Sequence, residues 1–79
     1  MTTEKIIAII ATQLGTDPSN ITADKSLIND LGADSLDIVE IVLAVEETFG
    51  IKIEDAEYQD ADTVDKVILL VESKIKIKG

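Results

Sequence analysis

Gly32-Ala33-Asp34-Ser35-Leu36-Asp37 opens an apolar-periodic stretch that runs on to Phe49-Gly50, and its reading decides the fold. Asp34 or Ser35 stands where a helix N-cap belongs, and Gly50 follows the last periodic residue, where a helix stops. Projected at about 100° per residue, segment 35–49 separates two apolar stripes. Ile38, Ile41, Val42, Val45 and Phe49 form a broad one suited to a core. Leu36, Val39 and Leu43 form a narrow second stripe at i, i+3 and i+7, bordered by Glu40 and Glu47 on one side and Glu46 on the other. An apolar stripe rimmed by acids has two readings: a docking surface for a partner, or burial against a loop or another helix.

The rest of the chain reads as helices around this one. Segment 4–14 carries Ile6, Ile7, Ile10 and Leu14 on one face, with Thr2 or Thr3 as cap, Glu4 in the first turn and Gly15 as the stop. Segment 16–33 contains Asp17-Pro18-Ser19-Asn20 and Gly32 and has no sustained period, so it reads as a long ordered loop. Ile21, Leu27, Ile28 and Leu31 are expected to pin it to the core. A loop of this length in a compact domain is commonly functional. Ile51-Lys52-Ile53 alternates like a strand but has no partner, and so serves as a connection. Segment 54–59 suits a short third helix. A last helix is expected over 63–75, capped by Asp62 or Thr63, with Val64, Val67, Ile68, Val71 and Ile75 on one face. The tail Lys74-Ile75-Lys76-Ile77-Lys78 puts cations near its C-terminus, where the macrodipole favours them. The class is all-α: three main helices, a short third one, and a long loop between helices one and two.

With 79 residues and 46% apolar content, the chain is expected to form one domain, 1–79, near the size at which a single core barely suffices. Its stability is expected at roughly 4 to 12 kcal/mol. One Phe, one Tyr and no Trp leave the core to Ile, Leu and Val. No apolar run approaches membrane-spanning length, and no basic segment precedes a hydrophobic one at the N-terminus. A soluble form without a visible address is expected. The net charge of −9 is clustered: residues 30–65 hold twelve of the sixteen acids against the single Lys52. This segment repels nucleic acid and attracts basic protein surfaces, although solubilising charge alone is the plainer reading.

The chain has no histidine and no cysteine, so Ser35 lacks the usual general base and no thiolate or imidazole can hold a metal. Gly32-Ala33-Asp34-Ser35-Leu36 matches the Gly-Asp-Ser-Leu pattern of some hydrolases only if Ala33 is ignored. Asp60-Ala61-Asp62 does not open a calcium loop, because Val64, Asp65 and Val71 occupy positions that need a ligand, a glycine and a bidentate glutamate. A glycine-rich phosphate loop is absent. Ser35 is either an ordinary helix cap or, if Asp34 caps, a free hydroxyl at a helix start. There, unpaired amides and the positive dipole end would stabilise an attached phosphoryl group.

Leu31-Gly32-Ala33-Asp34-Ser35-Leu36-Asp37, then Val39-Glu40 and Glu46-Glu47-Thr48-Phe49-Gly50, resembles the acyl carrier protein family. The likeness extends from Gln13-Leu14-Gly15 to Thr63-Val64. It implies a four-helix bundle whose Ser35 receives 4'-phosphopantetheine from coenzyme A through a magnesium-dependent phosphopantetheinyl transferase. The arm's thiol would then carry acyl chains as thioesters among the enzymes of fatty acid synthesis. The resemblance further assigns Asp34, Asp37, Glu40, Glu46 and Glu47 to basic surfaces of partner enzymes, and Leu36, Val39 and Leu43 to apolar contacts beside them. A modified, non-catalytic, monomeric protein of the cytoplasm, or of an organelle matrix after removal of a targeting peptide, is implied, with no nucleic-acid partner and no membrane insertion. The chain makes two departures from the family: Glu54 stands where proline is common, and Asp60-Ala61 replaces a pair that is often basic or polar followed by a larger apolar residue. The other readings are a carrier for polyketide, peptide or aminoacyl thioesters, and an acidic helical interaction module with Ser35 as a plain cap.

Overall fold

The computed structural model describes residues 2–78, with side chains through residue 76. Four helices follow in order: α1 Thr2–Leu14, α2 Ser35–Phe49, α3 Asp55–Gln59 and α4 Val64–Lys78. Among the described residues there is no strand, only an isolated antiparallel bridge between Ser26 and Thr63. Helix α1 packs against α2 and α4, and the short α3 lies against α4. The core is aliphatic, as the composition requires. Ile6 and Ile10 of α1, Ile41 and Val45 of α2, and Val64 and Val71 of α4 are almost wholly withdrawn from water. Ile38, Val42 and Phe49 flank them, so the broad stripe of α2 does face inward.

The termini of the elements show where local chemistry acts. Helix α1 begins at Thr2, so the expected caps Thr2 and Thr3 lie within the helix rather than before it. Helix α2 starts after Asp34, whose side chain accepts from the Asp37 N–H. It ends at Gly50 in the left-handed conformation, φ 66°, which an L side chain adopts only under strain. Thr63 caps α4 by accepting from the Lys66 N–H at 3.3 Å. This last helix runs three residues past the expected Ile75, because nothing in the lysine-rich tail breaks helical geometry. The side chains of Ile77 and Lys78 lie outside the described residues.

The connection 15–34 is ordered by more than its apolar residues. A 3₁₀ turn, Pro18–Asn20, is capped by Asp17, and Ile21 and Leu27 are buried as expected. Ile28 is not: it is 57% exposed, because the chain turns after Leu27 and presents the next side chain to solvent. The stronger fastening is backbone to backbone. The Leu27 N–H donates to Asp62 O at 3.0 Å, Val64 N–H to Lys25 O at 3.0 Å and Asp65 N–H to Ala23 O at 2.9 Å. These bonds stitch the loop to the start of α4 and satisfy amides that the helix itself cannot. A radius of gyration of 11.3 Å, against about 11.6 Å expected for a folded chain of this length, fits a loop folded onto the bundle.

Candidate functional site

The loop delivers Ser35 to the surface by a tight turn. Gly32 has φ 74°, and the Ala33 N–H donates back to Leu27 O at 2.8 Å. Ala33 is itself buried, so its methyl group anchors the chain immediately before the helix. Asp34 then caps: its Oδ1 accepts from the Asp37 N–H at 2.9 Å, and Asp37 Oδ2 accepts from the Asp34 N–H at 3.2 Å. This reciprocal box leaves Ser35, the first residue of α2, with an exposed hydroxyl that has no part in capping. Of the two readings of Ser35, the cap falls to its neighbour. The Ser35 and Leu36 amides, in the first turn, have no acceptor within the helix.

A cleft of about 300 Å³ opens beside this hydroxyl, between α2, the loop and α3. Leu27, Ile28, Ile38 and Val39 line one part of it, and Tyr58, Gln59, Ala61 and Asp62 the other. Beneath lies an apolar void of about 20 Å³, bounded by Ile41, Val42, Val45, Val67 and Leu70. Leu27, Ile38, Tyr58 and Ala61 border both spaces and form the partition between them. Ala61, one of the departures noted above, is small, and it thins that partition.

The narrow stripe of α2 is open. Leu36, Val39 and Leu43 are 66%, 39% and 53% exposed, so neither the loop nor another helix covers them. The acids around the stripe divide into two groups. Asp34, Glu40 and Glu47 are exposed. Glu46 is turned inward: its side chain is 15% exposed, its Oε2 accepts from the Ile53 N–H at 2.7 Å, and Lys52 Nζ stands 3.9 Å away. It fastens the α2–α3 connection. Asp37 is half-buried, and its Oδ1 also accepts from Gln13 Nε2 of α1 at 3.2 Å. The Asp34 N–H, and after it the Gln13 amide, hold the Asp37 carboxyl below the usual aspartate range.

These residues fit a phosphopantetheine group. An exposed hydroxyl at a helix start offers a point of attachment, the first-turn amides and dipole suit its phosphate, and the adjoining cleft has an apolar wall with a few polar groups for a flexible amide chain. Comparison with known proteins agrees. Residues 4–71 match the family model described as a phosphopantetheine attachment site. The chain belongs to the acyl carrier protein family. It is 42% identical over 71 residues to an acyl carrier protein of Thermotoga maritima, covering 90% of this chain and 88% of the relative. It is 49% identical over 72 residues to one from Bdellovibrio bacteriovorus, covering 91% and 92%. Acyl carrier proteins carry a covalently bound 4'-phosphopantetheine, and the four helices are those of a small carrier fold.

Sequence reasoning reached Ser35 and the Leu36-Val39-Leu43 stripe, leaving its exposure undecided, and it missed three other features of this region. The wall formed by Tyr58, Gln59 and Asp62 left no local signal, because it reaches Ser35 only through tertiary packing. The inward role of Glu46 was equally hidden. Gln13 did leave a trace: a polar residue three positions beyond the buried Ile10, on the edge of the apolar face of α1. Glu54, the second departure, has its N–H bonded to Glu57 Oε1 at 2.9 Å. A proline there has no such donor to satisfy.

Proposed function

We propose that this chain is the acyl carrier protein of a dissociated fatty acid synthase, with 4'-phosphopantetheine attached to Ser35. The observation that carries this reading is the exposed Ser35 hydroxyl, left out of the cap by the Asp34–Asp37 box and set at the mouth of the cleft. In the transfer from coenzyme A, Ser35 Oγ forms a bond to the β-phosphorus. The bond from that phosphorus to the bridging oxygen breaks, adenosine 3',5'-bisphosphate leaves, and the serine proton passes to a base on the transferase. The product is a phosphodiester with one negative charge, which the dipole and amides of α2 favour against the nearby acids. When bound, the group supplies the thiol that the cysteine-free chain lacks, to carry acyl chains as thioesters.

The chain's own residues then present and shelter that cargo. Glu40, Glu47 and Asp34 draw basic surfaces of partner enzymes, while Leu36, Val39 and Leu43 give a modest apolar contact, a combination suited to fast encounter and ready release. Single attachment makes each partner reaction local, at raised effective concentration. Parting of Leu27, Ile38, Tyr58 and Ala61 would admit an acyl chain to the apolar interior, each buried methylene gaining about 0.8 kcal/mol. The protein acts as a substrate of other enzymes, as a monomer in the cytoplasm or an organelle matrix. Incubation with coenzyme A, magnesium and a phosphopantetheinyl transferase tests the assignment by intact mass. A gain of one phosphopantetheine, absent in Ser35→Ala, is expected; an unchanged wild-type mass rejects it.

A further inference from the structure

Asp37 has both carboxylate oxygens engaged, one by its own helix start and one by a different helix. The bond from Gln13 Nε2 to Asp37 Oδ1 is partly buried and spans 24 positions of sequence, tying α1 to the first turn of α2. An ionised carboxylate only accepts hydrogen bonds, so the amide must present its NH₂ to it. We infer that Gln13 is a positioning residue for Ser35: by holding Asp37 from α1, it fixes the reciprocal Asp34–Asp37 box and thereby the place of Ser35 Oγ. The inference rests on the reading of Ser35 as the attachment site.

The physical argument is one of over-determination. Helix ends fray, and Asp34 is exposed while Asp37 is only half-buried, so the box alone sets the first turn with little to spare. A bond from a neighbouring helix orients Asp37 independently of that turn. Ser35 lies between the two box residues, and any rotation of the turn moves its hydroxyl directly. In the transfer, Oγ must approach phosphorus in line with the breaking P–O bond while the bridging oxygen leaves with the adenosine bisphosphate. A small displacement of an attacking atom costs rate without weakening the docking that brings the partners together. The docking stripe faces solvent on α2 and does not include Gln13. Loss of Gln13 is therefore read in kcat, whereas loss of an acid at the rim is read in KM.

Gln13→Met keeps the length and stem of the side chain and removes its donor, and Gln13→Lys keeps a donor. Initial rates of phosphopantetheine transfer from coenzyme A are measured against carrier concentration for both variants and the unmodified chain, with circular dichroism to confirm the helices. For Q13M, kcat is expected to fall about three- to tenfold, the value of one hydrogen bond, with KM unchanged. Q13K should recover most of the loss. In the same proteins, an NMR titration of the Asp37 carboxyl should move upward in Q13M. Gln13→Leu gives the same readout should Q13M fail to fold. An unchanged kcat in the donor-less variants, or an unmoved Asp37 titration, overturns the inference. Failure of transfer to the unmodified chain instead removes the Ser35 reading and this inference with it.

Discussion

At Ser35 two tasks that one serine can perform are divided between neighbours. Asp34 caps α2 and Ser35 is left exposed, so only the change at Ser35 should abolish modification without a cost in stability. Asp34→Ala is expected to lower stability by about 1 kcal/mol, the usual cost of a lost N-cap, as read in a urea titration. Ser35→Ala should leave that midpoint within about 0.5 kcal/mol and abolish the mass gain. The acids give a second contrast at this scale. Glu46 shields a backbone donor, and Glu46→Ala should cost about 1 kcal/mol of stability by leaving the Ile53 N–H without its acceptor. Glu40 is exposed, and Glu40→Lys should leave the fold intact, with a melting temperature no lower than that of the unmodified chain, while slowing acyl transfer by partner enzymes at low salt. A Glu40→Lys chain that unfolds, or one fully active at low salt, contradicts that role. In sequence these two acids are alike; only their surroundings distinguish them.

Among the elements, α3 depends most on side-chain fastening. It has five residues, too few to be stable by propagation alone. Glu57 Oε1 accepts from the Glu54 N–H at 2.9 Å, while Oε2 pairs with Lys74 of α4 at 2.6 Å. Lys74, and then the Glu54 N–H, hold the Glu57 carboxyl below its ordinary range. A carboxyl lowered in the folded state contributes stability that is complete above its unfolded value, about 4.3, and is lost as pH falls through the lowered folded value. Amide exchange in 55–59 should accordingly rise in acid below that range, once corrected for intrinsic rates. Lys74→Met should raise it already at neutral pH, with α1 and α2 unaffected. Equal protection in both proteins at neutral pH would show that the ion pair does not hold α3. Tyr58, which lines the apolar void, belongs to this same short helix.

For the whole molecule the dominant quantity is charge. Twelve acids between residues 30 and 65 face one lysine in that segment, and the net charge is −9, so folding gathers like charges onto a small surface. Salt should raise the thermal midpoint by screening this repulsion, and magnesium should raise it at lower ionic strength. A midpoint that does not move across both titrations would mean that the acids are already balanced by local pairs. The ion pairs among the described residues, Lys52 with Glu46, Lys66 with Asp62 and Lys74 with Glu57, engage one acid of α2 and leave its Asp37, Glu40 and Glu47 without a cation. The field that weakens the fold is therefore greatest where basic partners would dock.

Sequence alone determined the helices, the capped start of α2, the existence of a second apolar stripe of Leu36, Val39 and Leu43, and the placing of Ser35 at that start. These follow from periodicity and capping, which act within a turn or two of the chain and so leave a local record. Only the tertiary structure decided that this stripe is open, that the loop is sewn to α4 by backbone bonds, that Ile28 faces water, and that Glu46 turns inward. The same holds for the bond from Gln13 to Asp37 and for the cleft that α3 forms beside Ser35. Most of these join residues far apart in sequence, and all depend on distances and exposures that no local pattern encodes.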